Sequence, residues 1–95
     1  MIAMLEVRYF AGARAAAGTS AETIEVGTVQ GRDGGDGQAA SLDDLIAVLA
    51  ERHGERLALV LKAASFLVDG LACHDRRAAL PAGATVDVLP PFAGG

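Results

Sequence analysis

The stretch "TVDVLPPFAGG", residues 85–95, decides the fold expected for this 95-residue chain. Its first half alternates, with Val86 and Val88 on one side and an aspartate and a leucine on the other, as in a half-buried strand. Two prolines and a closing Gly-Gly pair follow. Glycine has no side chain to pack, and it loses the most conformational freedom on folding, so this pair does not stabilise the fold. We predict a final strand over residues 85–89 that runs directly into a flexible tail, residues 90–95.

The opening segment "MLEVRYF", residues 4–10, has the same strand period. Its inward side chains are Leu5, Val7 and Tyr9, and its outward side chains are Glu6, Arg8 and Phe10. The segment "ETIEV", residues 22–26, alternates again and predicts a second strand that pairs with the first as a hairpin. The connection "AGARAAAG" is expected to turn the chain, with room for a short helical stretch.

A helix is predicted to begin at Ser41, because Ser41 and Asp44 resemble a capping box with aspartate in place of glutamate. Its apolar positions recur at spacings of three and four: Leu42, Leu45, Ile46 and Leu49. Acidic Asp43 and Asp44 suit the N-terminal dipole, and Gly54 suits the C-terminal cap. The next segment, residues 55–64, reads equally as a short helix or as an irregular packed crossing.

A second hairpin is predicted around Asp69-Gly70, the dipeptide that type I′ turns favour, with "SFLV" before it and "LACH" after it. Residues 27–40 are rich in glycine and aspartate, have no periodicity and are expected to form a flexible loop. No Gly-Lys-Ser/Thr sequence follows these glycines, so they do not indicate a phosphate-binding loop.

The order strand, strand, helix, hairpin, strand predicts an α+β domain over residues 1–89 with a β-grasp fold: a mixed sheet with one main helix packed on one face. In such a sheet the last strand lies parallel beside the first. Outward Phe10 and Leu89 then meet where the tail leaves, and Phe92 follows them. We expect these three side chains to form a docking patch for a partner protein.

Composition narrows the class of partner. A hydrophobic content of 52% against 21% charged residues is typical of a globular domain, and no apolar stretch is long enough to span a membrane. The net charge of −4 comes without any basic run, which argues against nucleic acid and anionic membranes and favours a basic protein surface. With no apolar leader and one cysteine, Cys73, the chain is expected in the cytoplasm.

The other chemically suggestive residues receive structural interpretations. Cys73 and His74 invite a thiol–imidazole reading, but neighbours on a strand point to opposite faces. Together with Asp75 and His53 they match no metal-ligand spacing, so no metal site or bound cofactor is expected. The acidic residues of the helical segments, Asp43, Asp44, Glu51 and Glu55, are expected to serve the helix dipole and the solvated surface, or to meet a basic partner.

Nearly the whole chain resembles the ubiquitin-like sulfur carriers, in particular the small subunits of molybdopterin synthase. The resemblance rests on "VRYFAGARAAAG", "SLDDLIAVLA", "FLVDG" and, most specifically, "DVLPPFAGG", which matches a Pro-Pro-x-x-Gly-Gly ending. Residues 27–40 form a longer loop than this family leads us to expect.

The resemblance implies that an activating enzyme related to the E1 class adenylates the Gly95 carboxylate with ATP and magnesium, and that a persulfide converts it to a thiocarboxylate. Gly94 would let the tail thread a narrow channel, with Pro90, Pro91, Phe92 and Ala93 contacting the partner. That partner would be the large subunit of molybdopterin synthase, in an assembly of two small and two large subunits. It would supply the acid–base groups and pass sulfur to cyclic pyranopterin monophosphate.

Two alternatives stay open. The same carrier chemistry would serve thiamine thiazole formation, tRNA thiolation or cysteine synthesis. A ubiquitin-like interaction module whose tail is never activated would have the same fold.

Overall fold

A computed structural model describes residues 2–27 and 40–90, which form a five-stranded sheet and three helices. In chain order the elements are β1 (Ile2–Tyr9), α1 (Gly12–Ala17), β2 (Ala21–Gly27), α2 (Leu42–His53), α3 (Glu55–Ala63), β3 (Ser65–Val68), β4 (Leu71–Cys73) and β5 (Thr85–Leu89). The strand order is β2-β1-β5-β3-β4, with β1 and β5 parallel and the other neighbouring pairs antiparallel. This mixed sheet confirms the predicted β-grasp.

The core lies between one face of the sheet and the helices. Every second residue of β1 and β5 faces the core, so that Leu5, Val7, Val86 and Val88 have no exposed surface. They belong to one buried cluster with the helix residues Leu42, Leu45, Leu49, Leu57 and Leu61. The opposite face of the sheet carries the outward side chains of all five strands.

Helix α2 begins and ends where the sequence predicts. The Ser41 Oγ accepts a hydrogen bond from the Asp44 amide at 3.1 Å, and the Asp44 carboxylate accepts one from the Ser41 amide at 3.0 Å, which confirms the capping box with aspartate. At the other end the Gly54 amide donates to the carbonyl of Ala50 at 2.9 Å. Of the predicted apolar stripe three leucines are buried, whereas Ile46 is only partly buried.

Residues 55–64, whose conformation the sequence leaves open, are mostly helical and form α3. Leu57 and Leu61 are buried at a spacing of four, whereas Leu59 on the far side of the helix is 61% exposed. Gly54 adopts a φ of 93°, which lets α3 follow α2 directly and which favours glycine at this junction.

The hairpin between β3 and β4 has the predicted type I′ character, since Asp69 and Gly70 have φ angles of 50° and 86°. The Asp69 carboxylate also accepts a hydrogen bond from the Thr85 amide at 2.9 Å, and the Asp69 amide donates to the Thr85 carbonyl at 2.8 Å. These contacts join the turn to the start of β5.

The strand limits differ slightly from the prediction, because β1 runs from residue 2 to residue 9 and β4 stops before His74. Most of the predicted loop, residues 28–39, and the tail beyond Pro90 lie outside the described residues. In the part of the chain that is described, no helix has the length and apolar character required to cross a membrane.

Candidate functional site at the carboxyl end of the central strands

The parallel pairing of β1 and β5 brings Phe10 and Leu89 to the same rim of the sheet. The register places Arg8 beside Asp87 and Tyr9 beside Val88. One residue further along, the Phe10 amide donates to the carbonyl of Val88 at 3.2 Å. The chain therefore leaves the sheet next to Phe10, as the sequence predicts.

We name Phe10, Leu89 and Pro90 the exit patch. Phe10 is 41% exposed, and the other two residues are partly buried. Phe10 lies two residues after outward Arg8, and Leu89 lies two residues after outward Asp87. Both therefore belong to the face of the sheet that the helices do not cover. The remaining predicted site residues, Pro91, Phe92, Ala93, Gly94 and Gly95, lie outside the described residues. Their roles stay predictions.

Beside the exit patch, Arg8 and Asp87 form a two-point ion pair across the central strands. The Arg8 Nε donates to Asp87 Oδ1 at 2.6 Å, and Nη2 donates to Oδ2 at 2.9 Å. The Arg8 guanidinium carbon also lies 5.9 Å from the centre of the Phe10 ring, within reach of a cation–π interaction. The hydrogen bond to Asp87 and its negative charge raise the pKa of Arg8, so this side chain stays charged.

Asp87 is buried although it occupies an outward position of β5, since only 4% of the residue is exposed. The reason is its central place in the sheet: Arg8 lies beside it on β1, and Leu67 occupies the paired position on β3. A carboxylate this deeply covered requires a partner, which Arg8 supplies.

On the core side of the same rim, the Glu22 carboxylate contacts three side chains, and the sequence did not predict these contacts. Its carboxylate accepts hydrogen bonds from the Tyr9 hydroxyl at 2.6 Å and from the Arg52 Nε at 3.1 Å, and it also contacts the His53 Nε2. The Tyr9 and His53 rings meet edge to face at 5.8 Å. This cluster ties β1 and β2 to the end of α2.

The electrostatic environment of the cluster follows from its burial. Burial raises the pKa of Tyr9 well above its ordinary value, and its hydrogen bond to Glu22 raises it further. Burial also acts to raise the pKa of Glu22, but hydrogen bonds from Tyr9 and His53 outweigh it and lower the pKa below its ordinary value. One signal in the sequence marks Glu22: it shares the inward phase of its strand with Ile24 and Val26.

Cys73 and the acidic residues of the helices, which the sequence did not assign to a reactive site, lie in structural or exposed positions. The Cys73 thiol donates to the carbonyl oxygen of Asp75 at 3.5 Å. Glu51 and Glu55 are exposed on the helices, as predicted. Within residues 2–27 and 40–90, no three His, Cys, Asp or Glu side chains come together in a group that could hold a metal ion.

The exit patch and its ion pair suit docking more than acid–base chemistry. The patch offers apolar surface beside a permanently charged guanidinium. The one described carboxylate in contact with that guanidinium is buried and held at both oxygens, which leaves it poorly placed to exchange protons with a substrate. The end of β5 therefore lies beside an exposed aromatic ring and a half-exposed guanidinium.

Comparisons with known proteins agree with this fold. A profile of the ThiS family matches residues 7–95. No curated protein matches the chain in sequence. Among solved structures, the HVO 2177 protein of Haloferax volcanii is 27% identical, with a TM-score of 0.75 over 99% of this chain and 88% of that one.

Two further structures share the fold at lower identity. Small archaeal modifier protein 1 of H. volcanii is 24% identical, with a TM-score of 0.67 over 97% of this chain and 99% of that one. A chain from the complex of subunits 1 and 2 of the molybdopterin-converting factor of Helicobacter pylori is also 24% identical, with a TM-score of 0.63 and coverage of 97% and 99%.

Proposed function

The chain belongs to the ThiS family of ubiquitin-like sulfur carriers, and on that premise we propose that it carries sulfur as a thiocarboxylate on Gly95 for the synthesis of molybdopterin. In this role the folded body binds successive partner proteins, and the tail delivers the reactive group. The sulfur acceptor is cyclic pyranopterin monophosphate, bound by the large subunit of molybdopterin synthase.

One observation carries the proposal: the last strand ends at Leu89 next to Phe10, whose amide donates to the Val88 carbonyl and whose side chain is exposed. A partner that covers the exit patch is thereby positioned to take the following residues into its own active site. The ring of proline fixes φ, so Pro90 and Pro91 have less conformational freedom to lose when a channel receives the tail.

The proposed chemistry proceeds in steps that balance. The Gly95 carboxylate attacks the α-phosphate of magnesium-bound ATP, and pyrophosphate leaves with formation of an acyl adenylate. The terminal sulfur of a cysteine persulfide then attacks the acyl carbon and displaces AMP. A second thiol cleaves the sulfur–sulfur bond of the acyl persulfide, which forms a disulfide and releases the thiocarboxylate. The activating enzyme and the sulfur donor supply these reactants.

This chain contributes position and access to that chemistry. Glycines without a Cβ at positions 94 and 95 let a narrow catalytic channel reach the terminal carbonyl. The Arg8–Asp87 pair joins β1 to β5, and the Glu22 cluster joins β1 to β2 and to the end of α2. Acid–base groups for sulfur transfer are assigned to the large subunit.

The choice of molybdopterin among sulfur pathways draws on the Pro-Pro-x-x-Gly-Gly ending and on the H. pylori complex, whose two components are subunits of a molybdopterin-converting factor. That likeness supports a large subunit as the partner of this chain, in the expected assembly of two small and two large subunits. Thiazole formation, tRNA thiolation and cysteine synthesis would use the same activated tail with other acceptors.

The likeness to a small archaeal modifier protein favours a second candidate, in which the chain acts as a ubiquitin-like interaction module whose tail is never activated. An interaction module that is never activated binds partners through its body alone. Removal of Gly95 would then leave its binding and its biological effect unchanged.

Intact-mass spectrometry tests the proposal. The chain is incubated with the activating enzyme of its own organism, magnesium, ATP and a persulfide donor. We expect a mass increase equal to the exchange of one oxygen for sulfur. The variant without Gly95 and a variant with one alanine added after Gly95 are the matched controls, and neither is expected to gain sulfur. An unchanged wild-type mass, under conditions that load a known carrier, would contradict the proposal.

The pathway is tested separately by supplying the loaded protein with the large subunit and cyclic pyranopterin monophosphate. We expect dithiolene formation together with loss of the added sulfur mass. If the chain loads sulfur but does not yield it here, the carrier chemistry stands and another acceptor must be sought.

A further inference from the structure

Arg8 is the one basic side chain in the five described strands. It projects on the face of the sheet that the helices leave open, beside the exposed Phe10 ring. Its neighbours on this face include acidic Glu6 and Glu25, and the whole chain has a net charge of −4. A cation at this place is therefore a local exception to the charge of the surface.

The ion pair with Asp87 exposes the two charges unequally. The Asp87 side chain is 6% exposed, whereas the Arg8 side chain is 49% exposed. Solvent, or an approaching protein, thus meets the guanidinium and hardly meets the carboxylate. The pair consequently presents a positive group at the surface despite its overall neutrality.

The hydrogen bonds leave part of the guanidinium available. Asp87 occupies the Nε and Nη2 edge, and among the described residues Nη1 has no hydrogen-bond partner. The edge formed by Nη1 and the second Nη2 hydrogen can receive another planar acceptor in a two-point contact. Because Asp87 and Phe10 already restrain the side chain, less of its freedom is lost on binding than for an unrestrained surface arginine.

We propose that Arg8 selects the docking partner by pairing its free guanidinium edge with a carboxylate of that protein, while apolar partner side chains cover Phe10 and Leu89. The inference rests on the proposed function only in requiring a protein that docks at the exit patch. The acidic body of the chain still favours a broadly basic partner, but one acidic residue must face Arg8. Arginine is among the residues that most often dominate binding at the centre of a protein–protein interface, where water is excluded.

A purely structural role makes a different prediction. If Arg8 serves only to neutralise the buried Asp87, then replacing both residues by leucine removes the need for it. Paired apolar substitutions of this kind often preserve a fold. Removal of one partner alone leaves an unpaired buried charge, which strongly destabilises the folded state. The double variant therefore separates recognition from structural support.

The test measures the affinities of purified protein for two probes, the activating enzyme and the molybdopterin synthase large subunit of the same organism. We expect Arg8→Leu with Asp87→Leu to keep its circular dichroism spectrum but to weaken binding of at least one probe by about tenfold or more, the loss typical of a hydrogen-bonded charge pair. Asp87→Asn, which retains Arg8, should bind within about threefold of wild type. Arg56→Leu, an exposed arginine of α3, is the matched control and should bind as wild type.

Salt dependence identifies the acceptor. The affinity difference between wild type and the double variant should shrink as salt rises, because screening weakens a carboxylate pair more than a contact to a neutral carbonyl. A salt-independent difference would overturn the assignment of a carboxylate. Unchanged affinity of a folded double variant would overturn the inference while leaving the sulfur carrier proposal intact. Failure of wild-type protein to bind either probe would instead overturn the proposed function and this inference with it.

Discussion

The Tyr9 hydroxyl donates a hydrogen bond of 2.6 Å to the carboxylate of Glu22, linking the strand that ends at the exit patch to its antiparallel neighbour. His53 and Arg52, from the last turn of α2, contact the same carboxylate. Three elements thus meet at one acidic side chain, which is only 14% exposed. The rim of the sheet from which the tail departs is held from behind by this cluster.

Glu22 is expected to make folding sensitive to acid. Its pKa is lowered in the folded state, so the folded chain binds fewer protons than the unfolded one as pH falls below the ordinary value of 4.5. The contribution of Glu22 to stability is complete above that pH and is lost as the pH falls through the folded-state pKa. Urea unfolding at a series of pH values measures it.

The matched variants are Glu22→Gln and Glu25→Gln. The first should flatten the acid dependence of the free energy of unfolding, because a glutamine at position 22 does not titrate. Glu25 lies exposed on the opposite face of the same strand, so its variant should keep the wild-type dependence. Equal pH dependence in wild type and Glu22→Gln would contradict this account.

Tyr9 offers a spectroscopic test at alkaline pH, since it is the single tyrosine and the chain has no tryptophan. Its pKa is raised by burial and by the bond to Glu22, so the neutral phenol is favoured in the folded state. The stability that this provides is present below the ordinary pKa of 10.0 and is lost as pH rises above it. Ultraviolet titration should therefore show phenolate appearing together with unfolding. A reversible titration near pH 10 in folded protein would contradict the buried placement.

The capping box of α2 predicts a stability loss for Ser41→Ala. Removal of the Oγ that accepts from the Asp44 amide should cost about 1 kcal/mol, and in a domain of this size lower the melting temperature by about 4–8 °C. Ser20→Ala, at an exposed serine in the turn before β2, is the control and should melt close to wild type. Differential scanning calorimetry measures both, and equal losses would argue against the cap.

The type I′ turn predicts that Gly70→Ala destabilises the β3–β4 hairpin. Position 70 has a φ of 86°, and a residue with a Cβ is disfavoured there by about 1–2 kcal/mol even though open space surrounds it. Gly12→Ala is the comparison, because Gly12 begins α1 without a positive φ and also has no atom near an added Cβ. It should be neutral or slightly stabilising in chemical denaturation. Equal stability of the two variants would contradict the turn assignment.

The exit patch predicts a binding defect without a folding defect for Phe10→Ser. Phe10 and Leu59 are both exposed apolar residues, at 41% and 61%, but only Phe10 lies where the tail leaves. Loss of an aromatic contact at a docking centre should weaken affinity for the large subunit by about tenfold or more. Leu59→Ser on α3 should bind as wild type. Isothermal titration calorimetry with the large subunit measures the affinities of wild type and both variants. Equal affinities for all three proteins would exclude Phe10 from the interface.

Local patterns predicted most of the fold because the interactions that set them span few residues. The capping box joins positions three apart, the I′ turn depends on two consecutive residues, and the inward phase of β5 repeats every second residue. Residues 55–64 lay beyond such reasoning, because an apolar segment with Leu57 and Leu61 inside satisfies a helix and an irregular crossing equally until its packing partners are known.

The contacts between side chains of neighbouring strands were harder to predict from the sequence. Arg8 and Asp87 were both placed on outward positions of neighbouring strands, and their opposite charges were a usable signal for the pair. The burial of Asp87 was not accessible in the same way, since it depends on what lies beside it on both neighbouring strands.

By itself, the sequence determined which segments become strands, where α2 begins and ends, which turn joins β3 to β4, and that Phe10 and Leu89 share an edge once β1 and β5 pair. Only the tertiary structure decided that Asp87 is buried beneath a half-exposed arginine and that Glu22 receives Tyr9, Arg52 and His53. The physical reason is separation along the chain: a side chain's desolvation is set by neighbours 13 to 79 positions away, whereas propensity and periodicity act over a turn.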